Sequence, residues 1–144
     1  MQEQLKTNPN IEHLLAQKEL EIKRLKEEKT RMEKELNLAK DIQLNMIPRS
    51  FPNRLDFNLY AKLIPAREVG GDFYDFYLLD EEHLGFVMAD VSGKGVAAGF
   101  MMAICKALLK SRAATDISPA SILTHVNQEM AANNPDYMFV TVFL

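Results

Sequence analysis

Between Ile11 and Ile47 the chain contains no glycine and no proline, and Pro48 closes the run. Within it Leu15, Ile22, Leu25, Met32, Leu36, Ala39 and Met46 recur at heptad spacing, with Lys18 and Lys29 interrupting the stripe. Apolar residues spaced in this way draw one seam along a helix. The dense Glu and Lys content occupies its other faces, as in the Glu19–Lys23 pair. A helix of that length extends about 55 Å at about 1.5 Å per residue, too far to fold back onto a small domain. Isolated helices gain little without packing, so the seam implies a partner helix, and a parallel homodimer is the expected arrangement. Leu14, Leu20, Leu38 and Ile42 lie off the stripe and point to a stutter, or to packing against a globular part.

A length of 144 residues suits one modest domain plus this extension. The expected division is a flexible tail over residues 1–10, a coiled-coil or linker helix over 11–47, and a globular part over 48–144. A formal net charge of −3 without clustered Lys and Arg argues against nucleic acid as a partner. The single Cys105 excludes an internal disulfide framework and fits a reducing compartment; its neighbours Met101, Met102, Ile104, Leu108 and Leu109 mark it as a buried apolar side chain. The first residues are polar and lack the apolar core of a secretory signal. The longest apolar stretch, Val96 to Cys105, is broken by Gly99 and closed by Lys106, well short of the roughly 20 residues of a membrane span. The expected location is the cytoplasm, with no membrane span.

Past Pro48 the periodicity changes. Phe57, Leu59, Ala61 and Leu63 alternate with polar or exposed neighbours, the pattern of a half-buried strand. Phe73–Leu79 and Leu84–Ala89 form two more strand-like runs around Asp80-Glu81-Glu82-His83, a hairpin turn. Val96–Ala114 is apolar nearly all round, which predicts a helix covered on more than one side. Ser118-Pro119 supplies an N-cap and a first-turn proline for a helix through Ile122, Leu123, Val126 and Met130. Met138–Leu144 returns to a strand. The order is strand, strand, strand, helix, helix, strand, an α+β pattern with antiparallel pairing. The last strand runs to the final residue without a turn, which suggests an incomplete sheet.

Two aspartates carry the chemical signal. Asp72 follows Gly70-Gly71 and precedes Phe73-Tyr74-Asp75; Asp90 ends an apolar run and opens Asp90-Val91-Ser92-Gly93-Lys94-Gly95. A carboxylate beside an apolar run is expensive to hide without a cation, and glycines let backbones approach closely and expose carbonyls. Singly, Asp90 reads as a turn cap and Asp72 or Asp75 as loop acids. Jointly, they read as ligands of a hard divalent cation such as Mg²⁺ or Mn²⁺, with the Val91 carbonyl as a further oxygen. Gly93-Lys94-Gly95 lacks the glycine spacing of a Walker A loop, so a nucleotide-binding reading fails. His13, His83 and His125 have no second ligand at zinc spacing, and no Ser-His-Asp or Cys-His set assembles.

Three segments together resemble a known family. They are Ala39-Lys40-Asp41-Ile42-Gln43-Leu44-Asn45-Met46-Ile47-Pro48, Arg67-Glu68-Val69-Gly70-Gly71-Asp72-Phe73-Tyr74-Asp75, and Asp90-Val91-Ser92-Gly93-Lys94-Gly95-Val96-Ala97-Ala98. The chain resembles, from about residue 39 onward, the SpoIIE/RsbU-type serine phosphatases, the bacterial branch of the metal-dependent PPM protein phosphatases. Val126-Asn127 and Phe139-Val140-Thr141 fit its later segments. The resemblance implies the N-terminal portion of an α-β-β-α sandwich preceded by the long helix. It also implies a binuclear Mn²⁺ or Mg²⁺ site in which Asp90 bridges two metals, the Val91 carbonyl joins one and Asp72 serves the other. The chemistry implied is hydrolysis of phosphoserine or phosphothreonine by a metal-bridged water, with Asp72 and Asp90 catalytic and Arg67 holding substrate phosphate. The substrate would be a phosphorylated regulatory protein such as an anti-sigma-factor antagonist, and the helix would convey a signal to the domain.

Such phosphatases carry two further acidic motifs, Ser-Asp-Gly and a late Asp-Asp-x-Thr, beyond the equivalent of Leu144. With two of the carboxylates only, this stretch is expected to hold metal weakly or singly and to be inactive or nearly so. The competing expectation is non-catalytic: a dimeric coiled-coil signalling scaffold with a degenerate phosphatase half-domain.

Overall fold

The computed structural model describes residues 9–65, 68–132, 134 and 137–144. Helix α1 (Pro9–Met46) is followed by strands β1 (Phe73–Leu78) and β2 (Leu84–Val91), helices α2 (Val96–Ala113) and α3 (Pro119–Ala132), and strand β3 (Val140–Phe143). The chain divides into two compact units, Met1–Leu38 and Ala39–Leu144. The first is, in its described part, a single helix. Among the described residues it already includes Pro9, ahead of the expected Ile11. Apart from half-buried Leu36, its large apolar residues lie open, from Ile22 at 50% exposed to Leu20 at 71%. Three exposed ion pairs, Lys18–Glu21, Lys29–Glu33 and Arg31–Glu35, run along it.

The second unit is an α+β assembly with one antiparallel sheet in the order β1-β2-β3. The β1–β2 hairpin closes over the predicted turn, where Asp80 Oδ1 accepts hydrogen bonds from the Glu82 and His83 amides at 2.8 and 2.7 Å. Those amide donors, Glu82 foremost, with the His83 ring, hold the Asp80 carboxyl below the usual carboxylate range. Phe73 and Tyr77 of β1 with Val87 and Val91 of β2 form the inner sheet face. Against it pack Met102, Cys105 and Leu109 of α2, with Ile122 and Val126 of α3. Ser118 caps α3 as read from the sequence, its Oγ accepting from the Ser121 amide at 3.4 Å.

One expectation needs correction. No strand forms over 57–63: the predicted alternation of burial is present, but no neighbouring strand among the described residues supplies a ladder, and side-chain period alone cannot create one. The element order therefore has one strand fewer than predicted. Helix α2 is covered on more than one side as expected, by the sheet and by α3, and one stripe stays open. Val96, Phe100 and Ile104 form an open stripe at 45, 68 and 53% exposed, one face of a helix whose opposite face is fully buried.

The segment before the sheet is ordered by contacts rather than by a ladder. Phe51 stacks on Tyr74 and Phe76 of β1, and Tyr74 Oη donates to the Pro48 carbonyl at 2.8 Å. This covers the outer face of β1. The outer face of β2 and β3 stays open, with Phe86 against Phe143 and Met88 at 58% exposed.

Candidate metal centre

Register places the two aspartates. Phe73 pairs with Ala89 and Tyr74 with Met88, so the residue preceding β1, Asp72, lies level with Asp90 of β2. Alternation along each strand puts both on the outer face, while Phe73 and Val91 turn inward. The two residues line the same cavity. Burial first, then the hydrogen bond and like charge of Asp90, push the Asp72 carboxyl above the usual carboxylate range. Thr141 of β3, paired with Asp90, donates its hydroxyl to the Asp90 carbonyl at 3.3 Å and extends the row.

Gly71 makes this approach possible. A Cβ there would lie 2.8 Å from Val91 Cβ and 2.9 Å from the Val91 carbonyl oxygen, contacts that no side chain tolerates. The same closeness puts the Val91 carbonyl beside the loop that carries Asp72. Gly70 is held from the other side. Gln43, only 6% exposed, donates Nε2 to the Gly70 carbonyl at 2.6 Å and accepts the Gly70 amide on Oε1 at 3.0 Å. Sequence reasoning passed over Gln43, although it is a polar residue on the seam between Ala39 and Met46, where an apolar one was due.

Asp75 belongs elsewhere. It points inward from β1, 6% exposed, and forms a buried ion pair with Lys106 of α2. Its other oxygen accepts the Phe76 amide at 2.9 Å. The Tyr77 hydroxyl lies buried nearby without a hydrogen-bond partner among the described residues; burial, then Asp75 and Cys105, raise its pKa. Arg67 lies outside the described residues. His13, His83 and His125 stay apart, bonded respectively to Gln17, Asp80 and the Ser121 carbonyl.

Hard oxygen donors facing one another, with one proton affinity raised by the other's charge, suit a divalent cation. Among the described residues no third Asp, Glu, His or Cys joins them. The donor set therefore fits metal as a pair of carboxylates with backbone oxygen, not as a full cage.

The architecture is shared. The SiaA-PP2C domain of Pseudomonas aeruginosa superposes with a TM-score of 0.58 at 22% identity, covering 79% of this chain and 48% of that one. That likeness defines the class of fold, that of a PP2C domain. Residues 80–144 match the family model described as Stage II sporulation protein E (SpoIIE). Protein IcfG of Synechocystis is 35% identical over 100 residues, which are 69% of this chain and 16% of IcfG. Phosphoserine phosphatase RsbU of Bacillus subtilis is 30% identical over 109 residues, 76% of this chain and 32% of RsbU. Phosphoserine phosphatase RsbP of the same organism is 26% identical over 103 residues. The chain is thus the N-terminal part of a SpoIIE/RsbU-type domain, in the bacterial branch of the PPM phosphatases. It spans 16 to 32% of the length of these curated relatives.

Proposed function

We propose that this chain supplies the Asp72–Asp90 half of a metal-dependent phosphoserine/phosphothreonine phosphatase acting in bacterial signalling. The observation that carries the reading is the juxtaposition of those two carboxyl groups on one sheet face. Asp90 and Asp72, with the Val91 carbonyl, would hold Mn²⁺ or Mg²⁺, two ions in a complete site. When bound, such cations supply Lewis acidity toward a phosphate ester and toward water. The residues of this chain do the positioning. Gly71 lets the strands close, Gln43 fixes the Gly70 backbone beside Asp72, and the Asp90 carbonyl is tied to Thr141.

With two carboxylates and no third acidic ligand among the described residues, affinity for cations is weak and turnover by these residues alone is slight. The substrate is a phosphorylated regulatory protein, such as an anti-sigma-factor antagonist, and the setting is cytoplasmic. The exposed seam of α1 supports a parallel homodimer through which a signal reaches the domain. The competing scaffold reading keeps this dimer but assigns no metal. Titrating Mn²⁺ into the protein by calorimetry decides between them. Binding abolished by Asp90→Asn supports the phosphatase; no binding, or equal binding by the variant, supports the scaffold. Rapid hydrolysis of a chromogenic phosphate ester, lost in Asp90→Ala, would overturn the expectation of slight turnover.

A further inference from the structure

Lys94, whose loop is not a Walker A motif, lines the same cavity as both aspartates. That cavity, about 190 Å³, is walled by Asp72, Asp90, Gly93 and Lys94 together with the Gly70-Gly71 backbone. The Lys94 ammonium has no hydrogen bond or ion pair among the described residues. A lysine placed to neutralise a carboxylate pairs with it directly, as Lys106 does with Asp75. Lys94 pairs with neither acid, although both line the cavity with it. The cavity therefore presents a cation-binding pair and a separate ammonium, with space between them.

The anchor of Lys94 is fixed even though its side chain is free. Gly93 and Gly95 on either side adopt φ of 88° and 74°, a region that L side chains rarely enter, so the loop is committed to this shape. Ser92, at its start, is clamped to Phe139. The Ser92 amide donates to the Phe139 carbonyl at 2.8 Å, and Ser92 Oγ accepts the Phe139 amide at 2.8 Å. A mobile point charge on a rigid mount suits phosphate, whose oxygens an ammonium meets without a preferred plane.

We infer that Lys94 is a substrate-phosphate-binding residue: its Nζ holds an oxygen of the phosphomonoester whose other oxygens face the cations on Asp72 and Asp90. This rests on the phosphatase reading. Lys62, which lines the wider cleft of about 640 Å³ bordering the same two acids, sits in a segment without ladder hydrogen bonds and has no such mount. It serves as the control.

The test uses phenylphosphonate, a dianion that resembles a phosphomonoester but cannot be hydrolysed, titrated by calorimetry into protein saturated with Mn²⁺. Lys94→Met should weaken phosphonate binding by about tenfold to a hundredfold, the loss of one charge-assisted hydrogen bond. Its Mn²⁺ affinity and melting temperature should stay those of the parent. Lys94→Arg should keep most of the affinity, and Lys62→Met nearly all of it. Undiminished binding by Lys94→Met, an equal loss in Lys62→Met, or no phosphonate binding by the parent would each overturn the assignment. If the parent takes up no Mn²⁺, the phosphatase reading falls. The role of Lys94 is then decided in the same experiment, by whether phosphonate binding without metal depends on it.

Discussion

Bringing Asp90 beside Asp72 disfavours ionisation of Asp72, through burial and then through the neighbour's hydrogen bond and charge. A carboxyl raised in this way gives its full contribution to stability below its unfolded pKa, and loses it as pH rises through the raised folded value. Asp72 is largely open to solvent, so the effect on stability is small. Its effect on metal is larger, because cation and proton compete for the same oxygens. Affinity for Mn²⁺ should therefore fall as pH drops from neutral to mildly acidic, and the thermal stabilisation given by Mn²⁺ should vanish in Asp72→Asn. A pH-independent affinity would contradict the shared site. Cys105 gives a second residue-scale expectation. It is 1% exposed and burial pushes its thiol up to about 11, so the reactive thiolate is scarce. An aromatic disulfide reagent should label it slowly in the native protein and promptly in denaturant; fast native labelling would place it outside the core. The glycine-marked aspartates were legible because a turn beside an apolar run shows in one short segment. Asp75 was not, since its meaning depends on Lys106, 31 residues away in sequence.

Elements that bury one face were read from their period, and the misreadings fall where a tertiary partner decides. The alternation over 57–63 promised a strand, yet no neighbouring strand among the described residues pairs with it, and side-chain period alone makes no ladder. Two side-chain links between elements lay beyond any local pattern: Gln43 of α1 to Gly70, and Asp75 of β1 to Lys106 of α2. Gln43→Ala removes both partners of a backbone group pair that is half out of water, so about 1–3 kcal/mol of unfolding free energy should be lost. Urea denaturation measures it, and a change within error would show that water replaces the amide fully. For the buried ion pair the single variants are the costly ones. Lys106→Met strands a carboxylate and Asp75→Asn an ammonium, each costing about 3–5 kcal/mol, because charge without a partner remains in the core. Replacing both should recover much of the loss, giving a strongly non-additive double-mutant cycle. Additive losses would mean that the two side chains act through packing alone.

At the scale of the whole molecule the question is what α1 rests on. Over residues 9–38 every large apolar side chain but Leu36 is at least half exposed, among them Leu15 at 57%, Leu25 at 57% and Met32 at 51%. The three ion pairs along it are solvent-exposed and contribute little. No described helix is long and apolar enough to cross a membrane. A heptad seam of this kind is satisfied by another copy, which makes assembly and helicity one equilibrium that depends on concentration. Sedimentation should show a dimer, and replacing Ile22 and Leu25 together by Glu should give a monomer with reduced helical circular dichroism. The same change at Leu20, off the seam, should do neither. A parental protein that stays monomeric and fully helical on dilution would remove the case for a coiled coil. Direction can be read separately at Lys18, a seam position far from the middle of the helix, where a parallel pair brings like positions together. Lys18→Cys should then cross-link to itself readily under mild oxidation, with buried Cys105 silent. An antiparallel pair would leave the new thiols about 30 Å apart and unjoined. The parallel outcome is the one that sets both Gln43 residues at the same end of the seam, so that one movement of the paired helices reaches both Gly70 loops alike.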